Sequence, residues 1–289
     1  MSRFQSIESA EPVRFRPFQK LSTTNEARLV QRSAAVLTRL DPLMSRSHAA
    51  RIRETLALVY AAMAVESPEL LSLPGSTDLA INHLTGLNIH NGHYFAFIPK
   101  TDPAQKLGLF VFLHGNAGNF RLMIWRWRQL AEALKVAVIA PSYGFGFWGK
   151  DSAKVVDQAV EDAISRWPQI MPDHGMWLAG LSDGGNGVTR AGLVRPWSGL
   201  IYLSATMRPK ELVGKEFNDR WKGRPVLVLN GQKDHNVWPG SVRKAVAVLK
   251  IGGVDVSHEC YDNEDHFMTF GAARVVDDRI QRWISANRP

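Results

Sequence analysis

The sequence predicts an α/β fold: a mostly parallel sheet with an N-terminal antiparallel hairpin, helices on both faces, and a helical N-terminal segment ahead of it. Three observations lead there. Five short, continuous apolar runs alternate with helical stretches after residue 107, as strands do when both faces of a parallel sheet are buried. An Asn91-Gly92 pair between two earlier strand-like runs signals a tight turn. Before residue 75 the apolar residues recur at helical spacing instead.

Taken in chain order, Thr23-Thr24-Asn25-Glu26 reads as a capping box, and Leu29, Val30, Ala34, Val36, Leu37 and Leu40 follow on one helical face until Asp41-Pro42 ends the run. A second helix over residues 47–65 is apolar on nearly every side, which calls for burial, and Ser67-Pro68 stops it. The chain therefore divides into a helical extension, residues 1–75, and a sheet-bearing body, residues 76–289. Residues 79–89 and 94–98 form the expected hairpin around His90-Asn91-Gly92-His93. Strands follow at 108–113, 136–140, 176–179, 200–203, 226–229 and 256–260, separated by helices at 120–134, 152–167, 185–194, 239–251 and 272–285.

With 45% hydrophobic and 21% charged residues, this is the composition of a globular protein, long enough to bury a core without disulfides. The single cysteine, Cys260, excludes an internal disulfide framework and a cysteine-based zinc site. No metal or cofactor is expected. The longest apolar stretch, residues 56–65, is about half of what a bilayer span needs. Residues 1–20 contain no apolar core of a secretory signal, so a cytoplasmic protein is expected.

The net charge of +8 suggests a polyanion partner until it is located. Residues 1–55 hold ten Lys or Arg against five acids, leaving only +3 for the remaining 234 residues. Nucleic acid is not expected as a partner; peripheral contact of residues 1–55 with an anionic membrane is the alternative that the charge leaves open. The arginines and tryptophans of residues 121–128 read as one more helix, with tryptophans partly buried and arginines solvated.

In sheets of this kind the working residues sit past the carboxyl ends of the strands. After the 176–179 strand comes Gly180-Leu181-Ser182-Asp183-Gly184-Gly185, a G-x-S-x-G turn that would lift the Ser182 hydroxyl out of the sheet. A serine hydroxyl needs a base, and the base an orienting acid. Asp234 follows the 226–229 strand, and His266 follows the 256–260 strand. Asp262 and Asp265 compete with Asp234 but lie too near His266 in sequence to brace its ring from behind. His258 competes with His266 but falls inside a strand. His83, His90 and His93 read as hairpin surface.

The order Ser182, Asp234, His266, each at a strand end, resembles the α/β-hydrolase family over roughly residues 79–287. So does Leu113-His114-Gly115-Asn116 after the 108–113 strand. The resemblance implies a Ser-His-Asp triad, with the backbone N–H groups of Asn116 and Asp183 as oxyanion hole and His114 as a structural tie. It also places Tyr143, Phe145, Trp238 and Phe267 around a substrate pocket. The elbow is similar to those of esterases related to dienelactone hydrolases and of prolyl-oligopeptidase-type peptidases.

A carboxylic ester as small-molecule substrate is the implied reaction class, with thioesters, acyl transfer or small peptides served by the same residues. A membrane- or polyanion-binding protein on a hydrolase scaffold is the alternative of another class. The 51 residues between Ser182 and Asp234 leave no room for a large lid, so residues 20–73 are expected to pack over or beside the cleft.

Overall fold

The computed structural model describes residues 4–7, 45–73, 93–102, 104–116, 120–144 and 146–289. Both the expected first helix, residues 23–40, and the first arm of the expected hairpin, residues 79–89, lie outside the described residues. Strands run at β1 Phe4–Ile7, β2 Tyr94–Phe97, β3 Gly108–Leu113, β4 Val136–Pro141, β5 Met176–Leu181, β6 Gly199–Leu203, β7 Pro225–Gly231 and β8 Asp255–Tyr261. They pair in the order β1-β2-β4-β3-β5-β6-β7-β8. From β4 to β8 every pairing is parallel, whereas β2 runs antiparallel to both β1 and β4.

On its outer side β2 pairs antiparallel with Phe4–Ile7, Gln5 opposite Ala96. A strand from the segment read as a helical extension joins the sheet. Its four residues, Phe-Gln-Ser-Ile, are too short and too polar to announce a strand on their own.

Helix α1, Arg46–Glu66, starts at the Ser45 side chain, which accepts the N–H of His48, and ends at Ser67 before Pro68. Its Ile52, Leu56, Tyr60 and Met63 are buried. Their spacing of three and four residues is the stripe a helix lays on a sheet. The stretch read as one helix over 120–134 is two, α2 Phe120–Arg126 and α3 Arg128–Leu134, broken at Trp127. Further helices are α4 Ser152–Arg166, α5 Gly184–Ala191, α6 Pro209–Leu212, α7 Lys215–Trp221, α8 Pro239–Ile251, α9 Met268–Gly271 and α10 Ala273–Ala286.

The strands sort alternate side chains to two faces. Phe110, Phe112, Trp177 and Ala179 join α1, α2, α3 and α10 in one core. Leu109, Val111, Leu178 and Tyr202 join α4, α5 and α8 in the other. Helix α1 therefore shares a core with the sheet, beside the strands. Among the described residues no helix is long and apolar enough to cross a membrane.

Two expectations about polar residues need correction. The arginines of residues 121–128 are not solvated: Arg121 and Arg126 are buried along with Trp125 and Trp127. Arg126 donates to Asp277 at 2.6 Å and to the carbonyls of Thr269 and Ala273, both at 2.9 Å, and so ties α2 to α9 and α10. Arg128 lies over the Trp125 ring, 4.2 Å from its centroid. His93 is not on a hairpin surface either. It is 5% exposed, its Nδ1 is 3.0 Å from Ser142 Oγ, and burial pushes its pKa down to about 4.

Candidate active site

Strand order reverses at β3, which has β4 on one side and β5 on the other. The connections leave in opposite directions there and open a crevice beyond the carboxyl ends of β3 and β5. The turn after β5 carries Ser182, and the loop after β3 carries His114, Gly115 and Asn116.

Ser182 has φ +53°, in the left-handed region. Its neighbours hold it there. Ser182 N–H donates to Leu203 O at 3.2 Å, and Ser182 O accepts from Gly185 at 3.0 Å and Thr206 at 2.8 Å, fastening the turn to the end of β6. The flanking glycines are required by space. A methyl group on Gly184 would stand 2.2 Å from Leu113 O, and one on Gly185 2.4 Å from Thr206 O. Backbone strain held in place by such hydrogen bonds is found often at functional turns. Asp183 opens α5, and its carboxylate accepts from Thr206 Oγ1 at 3.0 Å.

The β3 loop comes directly against this turn: a methyl group on Gly115 would lie 2.9 Å from Ser182 Cβ and 3.7 Å from its Oγ. His114 fastens the loop. Its Nδ1 faces Gly115 O at 2.7 Å, and its Nε2 lies 3.0 Å from the N–H of Tyr143. A carbonyl only accepts and an N–H only donates, so the ring is neutral with its proton on Nδ1. Trp148 Nε1 donates to His114 O at 2.8 Å, and the Tyr143 ring stacks on Trp148 with centroids 5.0 Å apart. Gly146, at φ +90°, passes so near the Gly115–Asn116 peptide that a methyl group there would be 2.5 Å from Gly115 O.

Asp234 follows β7 and has no exposed surface. One carboxylate oxygen accepts from the N–H groups of Asn236 and Val237 at 2.9 and 2.8 Å; the other faces His266 Nδ1 at 2.9 Å. The bond leaves His266 Nε2 as the nitrogen able to take a proton. Asp265, the competing acid, is engaged elsewhere, with His48 of α1 and with the N–H of Phe267. His258 bonds to Asn230 Oδ1 at 2.9 Å; burial, with Lys250 and Arg243 nearby, lowers its pKa.

One pair of expected site residues is thus in contact, His266 with Asp234, and the Ser182 turn lies close against Gly115, the residue before Asn116. The pocket residues differ among themselves. Tyr143 is buried under Trp148, with its hydroxyl on Asp151 and its pKa pushed up to about 12, first by burial. Phe145 lies outside the described residues. Trp238 is 56% exposed, and Phe267 packs edge-on against His266 with centroids 5.8 Å apart. A hollow of about 480 Å3 between α1, α3 and α10 contains none of the expected site residues. Among the described residues no three His, Cys, Asp or Glu side chains gather as metal ligands. The residues that sequence reasoning missed are His48 and Arg51, which bond to the loop carrying His266 from more than 200 residues away. No local pattern signals such a contact.

No family model matches the chain, and no curated protein matches it in sequence. Solved structures do resemble it. Acylaminoacyl peptidase from Pyrococcus horikoshii superimposes with a TM-score of 0.53 at 12% identity, over 68% of this chain and 39% of the peptidase. Esterase B from Lactobacillus rhamnosis gives 0.55 at 12%, over 68% and 82%. The fluorophosphonate-binding serine hydrolase FphF of Staphylococcus aureus gives 0.52 at 17%, over 67% and 91%.

Proposed function

We propose that this chain, which has the α/β-hydrolase fold, is a serine hydrolase that cleaves carboxylic esters through an acyl-enzyme. Ser182 Oγ attacks the ester carbonyl while its proton passes to His266 Nε2. Asp234 keeps the other ring proton on Nδ1 and stabilises the imidazolium. The N–H groups of Asn116 and Asp183 receive the developing oxyanion, aided by the amino end of α5. Collapse expels the alcohol, which takes the proton from His266. Water, deprotonated by the same nitrogen, then releases the acid and restores Ser182.

The observation that carries this proposal is the buried Asp234 carboxylate bonded to His266 Nδ1 at 2.9 Å, past the carboxyl ends of β7 and β8 in the sheet whose β5 ends in the strained Ser182 turn. A peptidase using the same residues is the second reading, favoured by the likeness to acylaminoacyl peptidase. A fluorophosphonate probe tests the mechanism: the wild-type protein should label and Ser182→Ala should not. Folded wild-type protein that stays unlabelled refutes it. Nitrophenyl esters of increasing acyl length, beside a thioester and an aminoacyl amide, then separate the substrate classes.

A further inference from the structure

We propose that His48 and Arg51 of α1 are positioning residues for His266, so that the N-terminal helix sets the geometry of the base. This rests on the serine-hydrolase reading of His266. The loop from Tyr261 to Met268 is held on one side by its neighbour loop: Lys233 N–H donates to Glu264 O at 2.9 Å, and Asp234 takes the His266 ring. Across the fold, α1 bonds to it as well. His48 Nε2 bonds to Asp265 Oδ2, and Arg51 bonds to both Glu264 oxygens at 3.0 and 3.1 Å.

The Asp265 carboxylate straddles His266. One oxygen takes the His48 ring, and the other takes the N–H of Phe267 at 2.6 Å, the residue on the far side of the base. The backbone that aims His266 is thus clamped by a side chain that α1 holds. The helix is a firm support. Ser45 caps the turn that carries His48, and Ile52, Leu56, Tyr60 and Met63 anchor it in the sheet core.

The two contacts are unequal. Asp265 and His48 are mostly buried, whereas the Arg51 side chain is half exposed and water weakens its pair. His48 carries the greater share.

The test compares His48→Ala, Arg51→Ala and His48→Gln, whose amide nitrogen reaches about the place of Nε2. With a short nitrophenyl ester, His48→Ala should lose roughly tenfold or more in kcat, with KM and melting temperature near wild type. Arg51→Ala should lose less, and His48→Gln should recover most of the rate. A folded His48→Ala protein with kcat within about twofold of wild type overturns the proposal. If His48→Ala does not fold, Asp265→Asn is read by the same criteria, since it keeps the size of the side chain and an oxygen for the Phe267 N–H while removing the carboxylate that faces His48.

A second readout needs no turnover: the proton NMR signal of His266 Nδ1–H against Asp234. It should be present in the wild type and lost by exchange in His48→Ala. An unchanged signal also overturns the proposal, even if fluorophosphonate labelling has by then refuted the hydrolase reading.

Discussion

Nδ1 of His266 lies 2.9 Å from Oδ2 of Asp234, a carboxylate wholly withdrawn from solvent. An asparagine there fits the same space, keeps an acceptor for Asn236 and Val237, and offers His266 an amide in place of the oxygen. That favours the ring tautomer with its proton on the wrong nitrogen. Asp234→Asn should lower kcat by about 10³- to 10⁴-fold with little change in melting temperature. Steady-state kinetics on a nitrophenyl ester read it directly. A variant that keeps a tenth of wild-type activity moves the orienting role to another acid.

Gly184 and Gly223 should respond differently to alanine. At Gly184 the new methyl group meets the backbone oxygen of Leu113 at 2.2 Å, where β3 cannot retreat. The expected loss is about 3 kcal/mol, or no soluble protein. Gly223 has φ +69° but nothing within 4 Å. There only the left-handed backbone is penalised, by about 1 kcal/mol. Urea unfolding of both variants checks the order, and equal losses contradict it.

Leu56 is 1% exposed at the middle of α1, among residues of the sheet core. Leu56→Ala should destabilise the whole protein by about 2–5 kcal/mol. A loss below about 1 kcal/mol, measured by denaturant unfolding, indicates that α1 is a detachable appendage.

His93 makes stability depend on pH. Buried and neutral in the fold, with a pKa near 4, it returns on unfolding to the ordinary value of 6.5. Between those values the unfolded chain binds the extra proton. The contribution is complete above pH 6.5 and is lost as pH falls toward 4, at up to about 1.4 kcal/mol per pH unit. Comparing unfolding free energies at pH 7 and pH 5 for wild type and His93→Gln should show the smaller pH effect in the variant; identical effects rule out His93 as the source.

The central strands were legible because burial on both faces writes them as unbroken apolar runs, and each observed strand from β3 to β8 lies within two residues of its expected bounds. Ser182 was legible because the crowding at Gly180, Gly184 and Gly185 leaves glycine no substitute. Asp234 was preferred to Asp265 on sequence separation, and the bond from Asp265 to His48 supplies the physical reason. What escaped depends on distant partners. Nothing near Phe4 foretells pairing with Phe97, and Arg126 looked like a solvated charge until Asp277, 151 residues on, came beside it.

The seam between β3 and β5 has one more consequence. It separates strands drawn from residues 4–141 from strands drawn from residues 176–261, but neither half is free of the other. Helix α1 reaches forward to Glu264 and Asp265, and α10 reaches back to Arg126. Two halves strapped in both directions should melt as one cooperative unit, with tryptophan fluorescence, far-ultraviolet circular dichroism and probe labelling lost along a single curve.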